Sequence, residues 1–291
     1  MKARILILSS LLLASPALLV AQGLSTAQID ASLGRGGQKS GDVYRVGFPR
    51  TDLHVSVSGT EIKPGLALGS WAAFSGTDND AMVMGDLVLL EDEVSPVTKA
   101  LRSAGFEITA VHNHLMGETP HVLYVHYVGH GNIPGIAKSL RAALAQSKTP
   151  LGKPEAPPQA DEMPGFAKTA EDIVGAKGRF GGGVLSFSIP RADTITDHGM
   201  TLTGAQGVAE AINFQESGSD KVATTGDFVL TAEEVNPVMS ALQEHNIQVT
   251  ALHSHMLTEQ PRLFFMHFWA VGSTESVAQG IKAALSKART K

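Results

Sequence analysis

Phe106-Glu107-Ile108-Thr109-Ala110-Val111-His112-Asn113-His114 returns 141 residues later as Ile247-Gln248-Val249-Thr250-Ala251-Leu252-His253-Ser254-His255. In both passages side chains two apart share a face, which is the period of a β-strand. Phe106, Ile108, Ala110, His112 and His114 fall on one side and Glu107, Thr109 and Asn113 on the other, so the histidines are expected to extend the apolar face. Ile247, Val249, Ala251, His253 and His255 repeat the arrangement. Working outward, the same shift superposes Gly85-Leu144 on Gly226-Leu285 without a gap and with 22 of 60 positions identical. Chance would give about three or four, so one module is written twice.

Upstream, Phe48-Pro49-Arg50-x-Asp52 falls on Ile189-Pro190-Arg191-x-Asp193 and Gly34 on Gly175, with a one-residue slip between these blocks. The organisation expected is a module over 24–146, a linker over 147–165 and a second module over 166–291. The linker holds Pro150, Pro154, Pro157, Pro158 and Pro164 among polar residues, a composition that favours extended chain.

Within each copy the elements read as several short strands, then strand, helix, strand, strand, helix. Val83-Leu90 and Val222-Leu230 are the first long strands. Ser95-Pro96 and Asn236-Pro237 mark the helix start, with a capping side chain before a proline at the first helical position. Gly105 and Asn246 mark its end, because both tolerate left-handed backbone. Val122-Val128 and Leu263-Trp269 are apolar on both faces and belong inside a sheet. Ile136-Ala145 and Val277-Lys287 close the copies as helices. The fold class expected is α+β: a tandem duplication of a β-rich module, helices on one side of each sheet, with pseudo-twofold symmetry.

The strongest chemical signal is His112-x-His114-x3-Glu118 with its twin His253-x-His255-x3-Glu259. Two imidazoles at i and i+2 of a strand can grip one cation, and a glutamate in the following loop can fold back as a third ligand. Such a set suits a divalent transition metal, zinc first, with Fe, Mn or Ni as alternatives, and leaves positions open for water or substrate. His126 and His267 also match across the repeat and complete the candidate ligands. A symmetric hairpin about Gly117 would set His126 opposite Thr109, roughly 10 Å from His112; an asymmetric turn would bring it within reach. The alternatives are histidines hydrogen-bonded in a core and metal-free acid/base use. Six of the 11 histidines nevertheless hold repeat-matched positions while Asn113 became Ser254 and Met116 became Leu257. His-x-His-x3-Glu also opens a cupin motif, but no glycine stands seven residues past Glu118 or Glu259 and helices interrupt the strands.

Other repeated polar residues read as structural. Asp86 and Asp227 follow repeated glycines and suit turns, with a role beside the metal or its histidines as the alternative. Glu93 and Glu234 sit before the helix, at the positive end of its dipole. Arg50 with Asp52, and Arg191 with Asp193, suit buried ion pairs rather than an anion-binding fork. No P-loop, dinucleotide fingerprint, nucleophile elbow or His-Glu-x-x-His helix is present.

Lys2 and Arg4 precede an almost wholly apolar Ile5-Val20, and Ala21-Gln22-Gly23 supplies small residues for cleavage, so residues 1–23 read as a secretory signal. The apolar run is interrupted by Ser9, Ser10, Ser15 and Pro16 and is short for a span, which needs roughly 20 residues. No stable membrane span is expected after cleavage. Without Lys2 and Arg4 the chain carries 21 basic against 28 acidic residues, a surface that repels nucleic acid and anionic lipid. The absence of cysteine excludes disulfides, thiolate metal sites and acylation of the N-terminus. An exported protein, periplasmic or secreted and not lipid-anchored, fits these features.

The chain resembles the LppY/LpqO family of bacterial exported proteins, a family of unknown function. The resemblance rests on Val43-Tyr44 ahead of Pro49-Arg50-x-Asp52, on Met84-Gly85-Asp86-Leu87, on Glu93-Val94-x-Pro96-Val97, and on Ala110-x-His112-Asn113-His114 with Pro120 and His126. It implies no reaction, and its namesakes look like lipoproteins, which the lack of cysteine sets apart from this chain. Function therefore reads from the residues as metal binding at duplicated sites, with hydrolysis the reaction class a bound metal suits. The alternative is a non-catalytic envelope module binding a glycan, peptide or small molecule between the copies, with Tyr124, Tyr127, Phe265 and Phe268 in the right region.

Overall fold

The computed structural model describes residues 23–152 and 162–291. The expected signal, apart from Gly23, lies outside the described residues, as do linker residues 153–161.

Copy one runs α1 (Thr26–Leu33), β1 (Gln38–Ser40), β2 (Val43–Pro49), β3 (Val55–Val57), β4 (Thr60–Ile62), α2 (Pro64–Ala67), β5 (Gly69–Gly76), β6 (Ala81–Leu90), α3 (Glu91–Ser103), β7 (Glu107–His112), β8 (Glu118–Thr119), β9 (Val122–Gly131) and α4 (Ile133–Leu144). Copy two runs α5 (Gly165–Val174), β10 (Arg179–Gly181), β11 (Val184–Pro190), β12 (Ile195–Asp197), β13 (Met200–Leu202), a 3-10 turn (Gly204–Gln206), β14 (Ala209–Glu216), β15 (Lys221–Leu230), α6 (Ala232–Glu244), β16 (Gln248–His253), β17 (Phe264–Ser273) and α7 (Thr274–Leu285). Each copy folds its long strands into a six-stranded antiparallel sheet of one order, β1-β2-β5-β6-β9-β7 and β10-β11-β14-β15-β17-β16. The α+β duplication expected from the repeat is the architecture observed.

Alternation along β6 and β9 explains why both faces are apolar. Val83, Leu87, Leu89, Val125 and Tyr127 pack under the helices with Leu101, Ile136 and Leu140. The opposite faces of the two sheets meet each other: Val88, Val122 and Tyr124 pack with Ala223 and Trp269, and Met84 and Val128 with Val229 and Phe265. The copies thus share two apolar clusters, one on each side of a polar centre. Gly85 and Gly226 sit where strands close up, since a Cβ at either would lie within about 2.1 Å of the Trp71 or Ala211 carbonyl oxygen.

Three local expectations change. Helices α3 and α6 begin at Glu91 and Ala232, before the prolines, leaving Pro96 and Pro237 inside them. The start is set by Glu93 and Glu234, whose carboxylates reach back to the Leu90 and Thr231 N–H groups at 2.9 and 2.7 Å. Gly105 and Asn246 do end the helices in left-handed backbone. Asp86 and Asp227 lie within strands rather than turns, directly opposite His126 and His267. The third change concerns which way the histidines face.

Arg50 is wholly buried and holds Asp52 at 2.9 Å and Glu93 at 2.7 Å, so the ion-pair reading stands with Glu93 as an added partner. Arg191 pairs with Asp193 and with Glu234 at 2.9 Å. Glu210, 3.7 Å from Arg191, is deeper still, and burial pushes its carboxyl up to about 8.

Candidate metal centre

A β-bulge builds the centre. In β7 Ile108 pairs with Tyr127 and Ala110 with His126, leaving Thr109 out of register. Tyr127 and His126 are neighbours in a strand and point to opposite faces, so the extra residue turns β7 over at Thr109. Phe106 and Ile108 stay under the helices, whereas His112 joins His126 on the face turned to the other copy. The histidines therefore do not extend the apolar face under the helices. Copy two carries the same shift between Val249 and Ala251.

Because the two sheets face each other, six histidines meet in one place. His112 lies on His253 with ring centroids 3.7 Å apart, His114 on His267 at 3.8 Å and His126 on His255 at 3.7 Å. Every one of these pairs joins one copy to the other, and the last two are mates under the repeat. His112, His114, His126 and His255 bring ligand atoms within 4.8 Å of one another, and so do His112, His253, His255 and His267. His112 and His255 belong to both sets, which makes one shared centre in place of two separate ones. His126 and His267, distant in a symmetric hairpin, come within reach through the bulge.

Glu118 and Glu259 do not join the metal-competent groups found among the described residues. Glu118 accepts from His121 Nδ1 at 2.6 Å and from the Val122 N–H at 3.4 Å. Glu259 accepts from the Leu263 N–H at 2.9 Å and Arg262 at 3.2 Å. Each carboxylate closes its own loop onto the start of the next strand, so the expected third ligand of each motif is engaged elsewhere. The acids that do approach are Asp86, at 3.7 Å from His126 Nε2 and 3.9 Å from His114 Nε2, and Asp227, which touches His267 Nδ1. Asp227 also forms a metal-competent group with His114 and His267. The register that places Asp86 opposite His126 was readable from the two long strands once they are taken as partners.

Hydrogen bonds aim the rings. His112 Nδ1 lies 3.2 Å from the Asn113 carbonyl and His253 Nδ1 3.2 Å from the Ser254 carbonyl. His267 Nδ1 lies 3.3 Å from the Gly226 carbonyl. A carbonyl fixes the proton on Nδ1 and leaves the Nε2 lone pair for a cation. His114 stacks on Tyr124 at 3.5 Å and His255 on Phe265 at 3.6 Å, which sets their planes. Those aromatics, with Tyr127 and Phe268, are buried, as the core reading expects.

Burial, and after it the neighbouring imidazoles, hold His112, His114, His126 and His255 well below the usual histidine range and His253 at about 4. Neutral imidazole is the ligand form. Among the described residues, the Nε2 atoms of His112, His114, His126 and His255, and Asp86 Oδ1, are buried with no hydrogen-bond partner. His253 and His267 bring their Nε2 atoms to 2.8 Å. Several buried lone pairs converging on one point repel each other and lack donors, and a cation answers both. The donor set of imidazole with carboxylate suits Zn, Fe, Mn or Ni.

Comparison with solved structures adds no argument about function. A trimeric bacterial microcompartment shell protein, PduB, aligns at 11% identity over 87% of this chain and 89% of its own, with a TM-score of 0.22. EtuB from Clostridium kluyveri aligns at 11% identity over 86% and 88%, with a TM-score of 0.20. TP0453 aligns at 12% over 91% and 99%, again at 0.20. No curated protein matches the sequence. A family profile, however, covers both halves of the duplicated centre, at residues 27–146 and 168–287: the chain belongs to the family described as Domain of Unknown Function (DUF1259), in two tandem copies.

Proposed function

We propose that this protein binds a divalent transition metal, zinc first, in a single polyhistidine centre assembled between its two copies. The observation that carries this reading is the convergence of buried, partnerless Nε2 atoms from both halves. Duplication supplies the ligands: one copy brings His112, His114 and His126, the other His253, His255 and His267, and among the described residues both sets of four draw on both copies. A bound divalent ion supplies Lewis acidity, the chemistry of a metal-dependent hydrolase. The chain's residues hold the imidazoles neutral, aim them through carbonyls and keep Asp86 and Asp227 beside them. The amino-terminal features support export to the periplasm or beyond, in keeping with the likeness to LppY/LpqO proteins, while the lack of cysteine sets the chain apart from the lipoprotein namesakes. Among the described residues no helix is long and apolar enough to cross a membrane.

Metal analysis of protein purified without a histidine tag tests the reading. A transition metal is expected in the wild type and lost in both His112→Ala and His255→Ala, the residues common to the two ligand sets. A wild type that stays metal-free after incubation with zinc, at unchanged thermal stability, would overturn it.

A further inference from the structure

A cavity of about 560 Å³ opens between the two copies with the histidine centre as its floor, where His114, His126, His255, Asp86 and Asp227 face it. That volume lies in the range of small-molecule sites. Its walls break the repeat. In the register of the two sheets Arg45 of β2 corresponds to Ser186 of β11, both lying opposite the matched rim residues Gln38 and Arg179. Trp71 pairs with Gly47 where Ala211 pairs with Ser188, so Ala211 is the counterpart of Trp71. One wall therefore presents a guanidinium on an indole, and the other presents a hydroxyl and a methyl that leave space. The histidines of the floor are the same in both copies, while the walls above them have diverged.

Arg45 is held ready for a ligand. Its guanidinium lies over Trp71 at 3.9 Å, and Nη1 donates to the Ala205 carbonyl at 2.8 Å. Among the described residues it makes no ion pair, unlike the buried Arg50 and Arg191. Arg179 stands at the rim with Nη1 on Gln38 Oε1 at 3.3 Å. A stacked guanidinium with free N–H groups is a fork for an oxyanion.

We infer that this cavity binds a small oxyanion, a carboxylate or phosphate group carried by a small molecule, between Arg45 and the metal centre. The inference rests on the proposed metal, since the cation would supply the positive charge on the floor that faces the same anion as Arg45. Orientation follows from the walls: the charged group lies against Arg45 and the remainder extends toward Ser186 and Ala211, where copy two has made room.

Isothermal titration of inorganic phosphate, and separately of succinate, into zinc-loaded protein of measured metal content provides the test. Binding is expected for at least one probe, weakened about tenfold or more in Arg45→Met through loss of a charge-assisted contact, with zinc content unchanged. Ser186→Glu, which sets a carboxylate in the open space of the cavity, should abolish binding and leave the melting temperature near that of the wild type. Fully zinc-loaded wild type that binds neither probe, or Arg45→Met that binds as tightly as wild type, would overturn the assignment. If the protein takes up no metal, the same titrations are read on the metal-free chain. Binding that depends on Arg45 then retains the oxyanion cavity while the metal reading falls, and no binding removes both.

Discussion

Acidification of the metal-free protein tests the histidine centre through its linkage to folding. In the unfolded chain a histidine titrates near 6.5, whereas burial holds His112, His114, His126 and His255 far lower and His253 at about 4. The native state thus binds fewer protons than the unfolded state below 6.5, and stability falls as pH falls through that window. From pH 7 to 5.5 each such group costs a little over ~1 kcal/mol, and the five together about 6 kcal/mol. Three carboxyls oppose this. Glu210 is pushed up to about 8, Asp86 upward by burial and by Asp227, and Glu259 upward by burial, so the native state binds more protons at these sites over the same range. Glu210 returns about 2 kcal/mol over 1.5 pH units and the other two return part of the rest, so the net loss is below about 4 kcal/mol. Glu210→Gln, a neutral mimic that can still accept from the Val229 N–H, removes one opposing group and should deepen the loss by about 2 kcal/mol. Urea unfolding followed by circular dichroism at the two pH values reads both numbers. A wild type equally stable at both, together with a variant whose acid loss is no larger, would refute the argument that the centre holds neutral imidazoles.

His126→Ala leaves the second four-histidine set whole and should retain zinc more tightly than His112→Ala or His255→Ala, as measured by competition with a chromophoric chelator. Asp227→Asn, which alters the partner of His267 Nδ1, should weaken zinc binding by roughly 10- to 100-fold, whereas Glu118→Gln should leave it unchanged in the same assay. Arg50→Ala strands Glu93 in the core and should lower stability by about 3–5 kcal/mol, read as a fall in the calorimetric melting temperature; a loss below about 1 kcal/mol would show that the pair is not structural.

The bulge marks where reading along the chain stops being enough. Alternation holds on either side of Thr109 but not across it, because that one unpaired residue reverses the face of everything after it, and its signal lies in the pairing partner rather than in the strand. Glu118 misled for a related reason. Spacing places it near the histidines, but His121 at 2.6 Å and a buried backbone N–H four residues on compete for the carboxylate. Helix α3 shows local chemistry overruling a familiar pattern, because the reach of Glu93 back to Leu90 fixes the start ahead of Ser95-Pro96.

By itself the sequence determined the duplication, the order of the long elements and the identity of the six repeated histidines, because periodicity and self-similarity are properties of the chain alone. Only the tertiary structure decided that the halves share one centre, that Asp86 and Asp227 replace the two glutamates beside it, and that Arg45 looks into a cavity. Those facts arise where two sheets press their bare faces together, and contacts between segments more than a hundred residues apart are set by packing, which leaves no local trace.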